Sequence, residues 1–309
     1  MPFRSGFVSI VGRPNAGKST LLNALVGEKI AIVTPKPQTT RNRIQGIVNR
    51  AAAKGQPAAQ IILVDTPGVH KPQTSLNRKM MQEVQIALES QDLLLLLVDV
   101  SQKISAEDKF VLDLGKRSGS KTFLLLNKID LVPKPALLPL IDEYQKLHSF
   151  AEIIPISALK KEGLEVLLEK IVATLPEGAR YFPEEQITDQ PERFLAAEII
   201  REKVLRHTGK EVPYSVTVLV ELWEESPNLV RIAAAVYCER EGQKAIIIGR
   251  GGQMLKKIGT QARKELEFRL GTKVFLELFV KVREGWRDSA EFVETLDWRR
   301  QLEDLARRR

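Results

Sequence analysis

The feature that most constrains the fold of this chain is the segment 12–19, GRPNAGKS, which matches the template G-x-x-x-x-G-K-[ST]. An apolar stretch, residues 7–11, precedes it, and residues 20–26 carry apolar side chains at helical spacing. A strand, a loop and a helix in this order form the context in which such a motif binds phosphate. The sequence therefore predicts a phosphate-binding loop, or P-loop, rather than a glycine turn that opens an ordinary helix.

The chemistry of this loop follows from its residue types. Glycine lets the backbone turn its N–H groups inward, and the following helix adds the positive end of its dipole. Lys18 is expected to reach the β- and γ-phosphates, and the Ser19 hydroxyl is expected to bind Mg²⁺. The residues of the loop expected to contact a nucleotide are Gly12, Asn15, Ala16, Gly17, Lys18, Ser19 and Thr20.

Composition limits the remaining possibilities. The chain has 309 residues, which suggests two domains, and a net charge of +8, which favours a polyanionic partner such as nucleic acid or an anionic membrane. Residues 1–180 hold 24 basic and 17 acidic side chains and the rest hold 23 and 22, so a binding surface has to be a local patch. The single cysteine, Cys238, excludes an intrachain disulfide and fits a reducing cytosol. Neither a secretory signal nor a membrane-spanning run is expected.

Two further motifs follow predicted strands. Residues 60–64 read as a buried strand that ends on Asp65-Thr66-Pro67-Gly68, where a metal-binding aspartate of a P-loop protein is expected. Residues 122–126 read as another strand and lead into Asn127-Lys128-Ile129-Asp130. A carboxylate accepts two hydrogen bonds from the N1–H and amine edge of guanine, so Asp130 predicts guanine specificity. Asn127 is expected to brace the loops, and the stem of Lys128 to cover the base.

A fourth motif, Ser157-Ala158-Leu159, follows the predicted strand 153–156. A turn of small residues lets a backbone N–H approach the guanine carbonyl oxygen. All four motifs fall at the carboxyl ends of strands that alternate with helices. The expected fold of this half is a doubly wound, mostly parallel α/β sheet with its site at that edge.

The second half has a different pattern. Residues 177–192 read as a linker, followed by a helix over 193–206, an alternating strand with Val216, Val218, Val220 and Leu222 on one face, and a second strand. A GxxG sequence then joins two helices ahead of a last strand over 273–283. This order resembles a type II KH domain, a smaller α+β fold. Residues 240–273 hold nine basic and three acidic side chains, so the residues expected to bind single-stranded RNA are Gly249, Arg250, Gly251, Gly252, Lys256 and Lys257.

Taken together, the P-loop, Thr39-Thr40, the DTPG, NKID and SAL motifs and the GxxG resemble the Era family of GTPases over nearly the whole chain. The resemblance implies GTP and GDP with Mg²⁺ as ligands, and Thr40 as a switch I threonine that closes on the metal, with Thr39 as the alternative. Ser19, Thr40 and Asp65 would then hold Mg²⁺, while Lys18, Thr40 and Gly68 would support hydrolysis. Val69 stands where Ras-like GTPases place a water-orienting glutamine, which predicts slow intrinsic turnover.

The resemblance also implies binding near the 3′ end of the small-subunit rRNA and a role in maturation of the small ribosomal subunit. RNA rather than DNA is the expected partner, of a monomeric, cytoplasmic protein with some peripheral contact at the inner membrane. Asn15 would hold a K⁺ ion. The expected division is a GTPase domain at 1–176, a linker at 177–192 and a KH domain at 193–309. A KH-like module that docks a protein, and a structural RNA binder indifferent to nucleotide, are the alternatives.

Overall fold

The computed structural model describes residues 2–36, 38–53, 55–69, 73–209 and 211–307, except for the side chains of 303–307. The chain forms two compact units. The amino-terminal unit contains Met1–Ala31, Thr40–Pro72 and Met80–Asp189, and the carboxy-terminal unit contains Ile32–Thr39, Gln73–Lys79 and Gln190–Arg309. Two short segments from the first half of the sequence therefore belong to the second unit.

A six-stranded sheet forms the centre of the amino-terminal unit. Its strands in space follow the order β2-β3-β1-β4-β5-β6. All neighbours are parallel except β2 and β3, which run antiparallel. The predicted mostly parallel sheet is confirmed. The strands are β1 (Arg4–Val11), β2 (Ile44–Arg50), β3 (Ala59–Asp65), β4 (Leu93–Asp99), β5 (Thr122–Asn127) and β6 (Glu152–Ile156).

Among the described residues of this unit, five helices alternate with these strands. Because parallel neighbours need a crossover connection, a helix follows most strands and packs on one face of the sheet. Short 3₁₀ turns at Ile129–Leu131 and Lys134–Ala136 follow β5. The helices are α1 (Lys18–Val26), α2 (Ser75–Glu89), α3 (Ala106–Ser118), α4 (Leu137–Leu147) and α5 (Leu164–Thr174).

The central strand β4 is buried on both faces, as its unbroken apolar sequence predicts. Leu93, Leu95 and Leu97 belong to the hydrophobic cluster that includes α1 and α5. Leu94, Leu96 and Val98 point the other way, into the cluster that includes α2, α3 and α4. With both faces covered by apolar side chains, polar chemistry is confined to the strand ends.

The carboxy-terminal unit has a three-stranded sheet in the order β7-β8-β9, in which β7 and β8 are antiparallel and β8 and β9 are parallel. Its core combines buried residues of α6, α8 and α9 with one face of the sheet. This is the α+β arrangement expected for the second half. Its elements are α6 (Glu192–His207), α7 (Val212–Ser215), β7 (Thr217–Ser226), β8 (Leu229–Cys238), α8 (Glu241–Ile248), α9 (Gln253–Leu270), β9 (Lys273–Val282), α10 (Ala290–Thr295) and α11 (Trp298–Arg307).

One prediction about this sheet is wrong. The alternation of apolar residues places Leu222 on the inner face with Val218 and Val220, but the strand register shifts between Val220 and Leu222. Trp223 consequently packs against the core in its place. A β-bulge adds one residue to a strand and so reverses the facing of all later side chains.

Two predictions about composition can be compared with the described residues. Cys238 is a free, fully buried thiol within the core of the carboxy-terminal unit, as its place in an apolar run indicates. Among the described helices, none has the length and apolar content that crossing a bilayer requires.

Candidate functional site

The P-loop connects β1 to α1 at the carboxyl edge of the sheet, and its glycines are sterically required. A Cβ on Gly12 would lie 2.5 Å from the carbonyl oxygen of Leu97. Gly17 has a φ of 105°, and a Cβ there would collide with Nδ2 of Asn127. Ala16 is buried at the base of the loop and Asn15 is exposed with a φ of 60°. The loop therefore keeps its backbone close to the sheet and open on its other side.

Lys18 is the buried cation of this loop. Its Nζ donates to the carbonyl oxygens of Gly12 (3.0 Å) and Arg13 (3.1 Å), which curls the side chain over the loop. Burial lowers the pKa of Lys18 to about 8, against the opposing effect of the Asp65 carboxylate. Burial disfavours the charged form of this ammonium group, and a bound anion would stabilise that form. The loop therefore fits a polyphosphate.

Oxygen atoms suited to Mg²⁺ lie next to Lys18. The Ser19 hydroxyl donates to Oδ2 of Asp65 at 2.6 Å and lies 2.8 Å from the Thr40 hydroxyl, which is 3.5 Å from the same Oδ2. The other carboxylate oxygen, Oδ1, is buried and has no hydrogen-bond partner among the described residues. Two hydroxyls and a carboxylate with one unused oxygen are the hard donors that Mg²⁺ prefers, so these residues fit the ion.

The structure distinguishes the two adjacent threonines. The hydroxyl of Thr40 contacts Ser19 and Asp65, whereas the hydroxyl of Thr39 bonds to Thr34 Oγ1 and the carbonyl oxygen of Lys36, each at 2.7 Å. Of the two, only Thr40 is within reach of the oxygen cluster through its own side chain.

Asn127 connects two of the predicted motifs to each other. Its amide donates to the carbonyl oxygen of Ala16 in the P-loop at 2.7 Å, and its carbonyl oxygen accepts from the backbone N–H of Ala158 at 3.0 Å. The side chain is buried, so both bonds are shielded from water. A single amide thus fixes the distance between the phosphate loop and the Ser157–Leu159 turn.

The residues expected to recognise a base lie beside this bridge. The Ser157 hydroxyl donates to Oδ1 of Asp130 at 2.6 Å, which orients an otherwise exposed carboxylate. Ala158 is buried and Leu159 is exposed at the surface of the turn. Asp130 therefore presents its remaining acceptors towards open space at the edge of the sheet.

Asp99 and Arg13 belong to the site although no sequence motif assigns them a role there. The Oδ2 atom of Asp99 accepts from Lys128 Nζ at 2.6 Å and lies 3.9 Å from Arg13. Burial tends to raise the pKa of Asp99, but the hydrogen bonds from Lys128 and Ser101 outweigh it and the pKa is lowered. The ionised carboxylate holds the Lys128 side chain in place. The pairing of Asp99 with Asn127 in the sheet brings these groups together.

The segment after β3 approaches the P-loop closely. A Cβ on Gly68 would lie 2.9 Å from Cγ of Pro14, so only glycine fits without displacing the loop. Val69 is 2% exposed and packs in the apolar cluster with Val11 and Val84. Its side chain is thus directed into the core and has no means of orienting water. Thr20, the last predicted contact residue, lies half-buried in the first turn of α1.

The GxxG sequence of the carboxy-terminal unit forms the link between α8 and α9. Gly249, Gly251 and Gly252 all have positive φ, at 74°, 58° and 77°. A Cβ on Gly249 would lie 2.6 Å from Cβ of Met254, whereas no atom lies within 4 Å of a Cβ on Gly251 or Gly252. The first glycine is required for packing, and the last two leave open space above the main chain.

A groove with a volume of about 330 Å³ lies beside this link. Its floor is apolar and its rim carries positive charge. Lys256 lines the groove; Lys257 is exposed on the same helix but does not line it, and Arg250 is exposed within the link. The lining residues are Gly252, Leu255, Lys256, Gly259, Thr260, Arg263, Leu276 and Leu278.

The two units together define a class of protein: a P-loop GTPase joined to a KH domain. A family model described as "50S ribosome-binding GTPase" matches residues 7–128, and a model described as "KH domain" matches residues 211–287.

Relatives and solved structures agree with this class. The chain is 54% identical to GTPase Era of Syntrophus aciditrophicus over 92% of each chain, and 47% identical to that of Ruminiclostridium cellulolyticum over 97% and 99%. A point variant of Aquifex aeolicus Era bound to GDP·AlF₄⁻ superimposes with a TM-score of 0.90, at 42% identity. Era in complex with MgGDPNP and nucleotides 1506–1542 of 16S ribosomal RNA gives 0.92, also at 42% identity. Both alignments cover 96% of this chain and 99% of the other.

The chain belongs to the Era family of GTPases, and it is a hydrolase that acts on GTP.

The burial of Asp65 predicts how the stability of the protein free of metal and nucleotide depends on pH. Burial raises the pKa of Asp65 to about 6 in the folded state, against about 4 in an unfolded chain. The stability contributed by this group is therefore complete below pH 4 and is lost as the pH rises through 6. Asp65→Asn removes the ionisable group. Between pH 4 and pH 7, the unfolding free energy of this variant should therefore fall by about 1–3 kcal/mol less than that of the wild type.

Urea unfolding in the presence of EDTA measures this difference. Asp113→Asn is the matched control, since Asp113 is exposed and forms an ion pair with Lys116 one turn away on the same helix. A pH dependence of Asp65→Asn equal to that of the wild type would contradict the assignment of the raised pKa.

Proposed function

We propose that this GTPase is a Mg²⁺-dependent switch whose nucleotide state controls RNA binding by the carboxy-terminal unit. The observation that carries the proposal is the oxygen cluster of Ser19, Thr40 and Asp65, with its one buried and unpaired carboxylate oxygen. Thr40 comes from a loop, whereas Ser19 and Asp65 come from a helix and a strand. A ligand set that is completed by a loop residue can open when the γ-phosphate leaves.

The roles of the nucleotide-site residues follow from this arrangement. The backbone of residues 12–17 binds the phosphates, and Lys18 neutralises them from inside the loop. Ser19, Thr40 and Asp65 hold Mg²⁺, which supplies positive charge against the phosphate oxygens when it is bound. Asp130 recognises guanine, Ser157 orients that carboxylate, and Asn127 holds the phosphate and base sites at a set distance.

Hydrolysis has to proceed without a side chain at position 69 that orients water. We assign the catalytic contribution to Lys18, to Thr40 and to the backbone of Gly68, which is held against the P-loop. Preorganised charge without a water-orienting side chain at position 69 gives slow turnover. The assignment of a K⁺ ion to Asn15 stays a prediction.

Guanine specificity is tested by Asp130→Asn. The amide offers one acceptor and one donor in place of two acceptors, so it mismatches the amine of guanine and matches the second carbonyl of xanthine. Affinity for GDP should fall roughly 100-fold, and affinity for xanthosine diphosphate should rise above it. Competition binding with a fluorescent nucleotide measures both values.

The control for this test is Asp142→Asn, an exposed carboxylate on α4. An Asp130→Asn variant that still prefers GDP would show that another group selects the base.

RNA binding is proposed from the groove beside the GxxG link. Its open main chain, apolar floor and basic rim suit a single strand whose backbone lies on the glycines and whose bases enter the groove. A solved Era complex contains nucleotides 1506–1542 of 16S rRNA. The name of the matching GTPase model refers to the 50S subunit instead. We favour the 3′ end of the small-subunit rRNA, because the Era complex is similar over 96% of this chain and the GTPase model matches only residues 7–128.

The RNA proposal predicts the outcome of Gly251→Asp. Gly251 has a φ of 58° and open space around it, so an aspartate adds negative charge to the link without a clash. Affinity for an RNA of nucleotides 1506–1542 should fall at least about tenfold while GTP affinity is unchanged.

Gly271→Asp is the matched control, because Gly271 has a φ of 64°, open space and the same backbone strain at the end of α9. Equal RNA affinity of Gly251→Asp and the control would favour the alternative in which the KH domain docks a protein partner.

The wider assignments rest on the family. We propose a GTPase domain at 1–176, a linker at 177–192 and a KH domain at 193–309, with a role in maturation of the small ribosomal subunit. We also propose a monomeric, cytoplasmic protein, with a fraction in peripheral contact with the inner membrane.

A further inference from the structure

The segment that leads into Thr40 is built into the carboxy-terminal unit. Residues 32–39, called here the 32–39 segment, group with α6 to α11, while Thr40 itself groups with the nucleotide site. Pro37 lies outside the described residues. The boundary between the two units therefore falls on the peptide bond between Thr39 and Thr40. The 32–39 segment is thus joined by one peptide bond to the residue that completes the proposed metal site.

The start of the segment is held by side chains of α6. Ile32 is buried within the hydrophobic core of the carboxy-terminal unit. The backbone N–H of Val33 donates to Oε1 of Glu202 at 3.1 Å, and Arg206 donates to the carbonyl oxygen of Val33 at 3.3 Å. Glu202 is fully buried, and Lys203 and Arg206 balance its charge. A buried carboxylate that accepts a backbone N–H forms a bond that is costly to break.

The end of the segment is held by Arg201. Its Nη2 donates to the carbonyl oxygen of Thr39, and Glu198 orients the guanidinium through bonds of 2.7 Å to Nε and 2.6 Å to Nη2. Arg201 is 1% exposed. The carbonyl of Thr39 and the amide N of Thr40 belong to one planar peptide group, so fixing that carbonyl restricts the orientation of Thr40.

Two further features indicate that this arrangement is not optimised for stability alone. Nη1 of Arg201 is buried and has no hydrogen-bond partner among the described residues. Gln38, immediately before Thr39, has a φ of 57°, which is rare for a residue with a side chain. Strained backbone and unsatisfied buried groups persist where the surrounding structure holds them in place, and both are common at functional sites.

We infer that Arg201 is a positioning residue for GTP hydrolysis, holding the carbonyl of Thr39 so that the Thr40 hydroxyl faces Ser19 and Asp65. This inference rests on the proposed function, in which the loop that supplies Thr40 opens when the γ-phosphate leaves. The hydrogen bonds of Arg201 go to Glu198 and to the carbonyl oxygen of Thr39, neither of which is proposed to hold nucleotide or metal. Its effect is therefore expected on the GTP state and not on the GDP state, in which Thr40 is not required.

Helix α6 also connects the 32–39 segment to α9, which lines part of the groove proposed to bind RNA. Lys203 bonds to Glu202 at 2.8 Å and also forms an ion pair with Glu265 on α9. Lys256, which lines the groove, lies on α9 as well. Three contacts, from Val33 to Glu202, from Glu202 to Lys203 and from Lys203 to Glu265, thus join the 32–39 segment to α9.

The experiment compares Arg201→Met with Arg193→Met in the full chain. Arg193 is the matched control because it lies on the same helix and also donates to carbonyl oxygens, but to those of Val220 and Glu221 in β7. Arg201→Lys serves as the conservative variant. The measurements are the affinities for fluorescent GDPNP and GDP in the presence of Mg²⁺, and kcat and KM for GTP.

For Arg201→Met we expect GDPNP affinity and kcat to fall about tenfold while GDP affinity stays within about twofold. Arg193→Met should keep the wild-type ratio of GDPNP to GDP affinity, and Arg201→Lys should recover part of the loss. A merely structural role would weaken both nucleotides together. If Arg201→Met fails to fold, Glu198→Gln takes its place. This variant releases the Arg201 guanidinium but keeps the positive charge of Arg201, and it should lower the ratio of GDPNP to GDP affinity in the same way.

A wild-type ratio in Arg201→Met, or in Glu198→Gln if it takes its place, would overturn the inference while leaving the proposed switch intact. If neither Mg²⁺ nor the γ-phosphate raised the nucleotide affinity of the wild-type protein, the proposed function would be wrong, and the inference that rests on it would be wrong as well.

Discussion

The burial of the Asp65 carboxylate is the constraint on which the rest of the nucleotide site depends. The strand β3 carries this charge to the edge of a sheet whose faces are fully covered, so the only compensation available is polar and local. Lys18, Ser19 and Thr40 surround Asp65, and together they leave one of its oxygens unsatisfied. A site that is incomplete in this way gains stability from a divalent cation. In the proposed switch, metal binding therefore depends on the loop that supplies Thr40.

The boundary between the two units does not follow the order of the sequence. The sequence places residues 32–39 and 73–79 in the first half of the chain, yet both group with the second unit. Ser75 and Leu76 bond to the carbonyl oxygens of Asp288 and Arg287, so the start of α2 is held there as well. These segments flank Thr40 on one side and follow the DTPG motif on the other. The carboxy-terminal unit therefore contains the segment that directly precedes Thr40 and a second segment that begins eight residues after Asp65.

Much of this could be predicted because the signals are local. The P-loop, DTPG, NKID and GxxG motifs each place their residues through a few neighbouring positions, and the alternating strands and helices bring their ends together. The pairing of Asp99 with Lys128 was missed because it depends on the register between β4 and β5, which no short pattern encodes. The β-bulge that turns Trp223 rather than Leu222 towards the core also depends on strand register, and the sequence pattern missed it for that reason. No motif marks Arg201 or Glu202, because the backbone groups of the 32–39 segment that they bind are 162 and 169 residues away in the sequence.

In the proposed switch, one pocket holds GTP, and the nucleotide in that pocket decides how the carboxy-terminal unit binds RNA. The most direct measurement is the affinity of the wild-type chain for an RNA of nucleotides 1506–1542, determined with Mg²⁺ and GDPNP and again with Mg²⁺ and GDP. Binding should be tighter with GDPNP by about tenfold or more. Equal affinity in the two states would contradict the proposed switch.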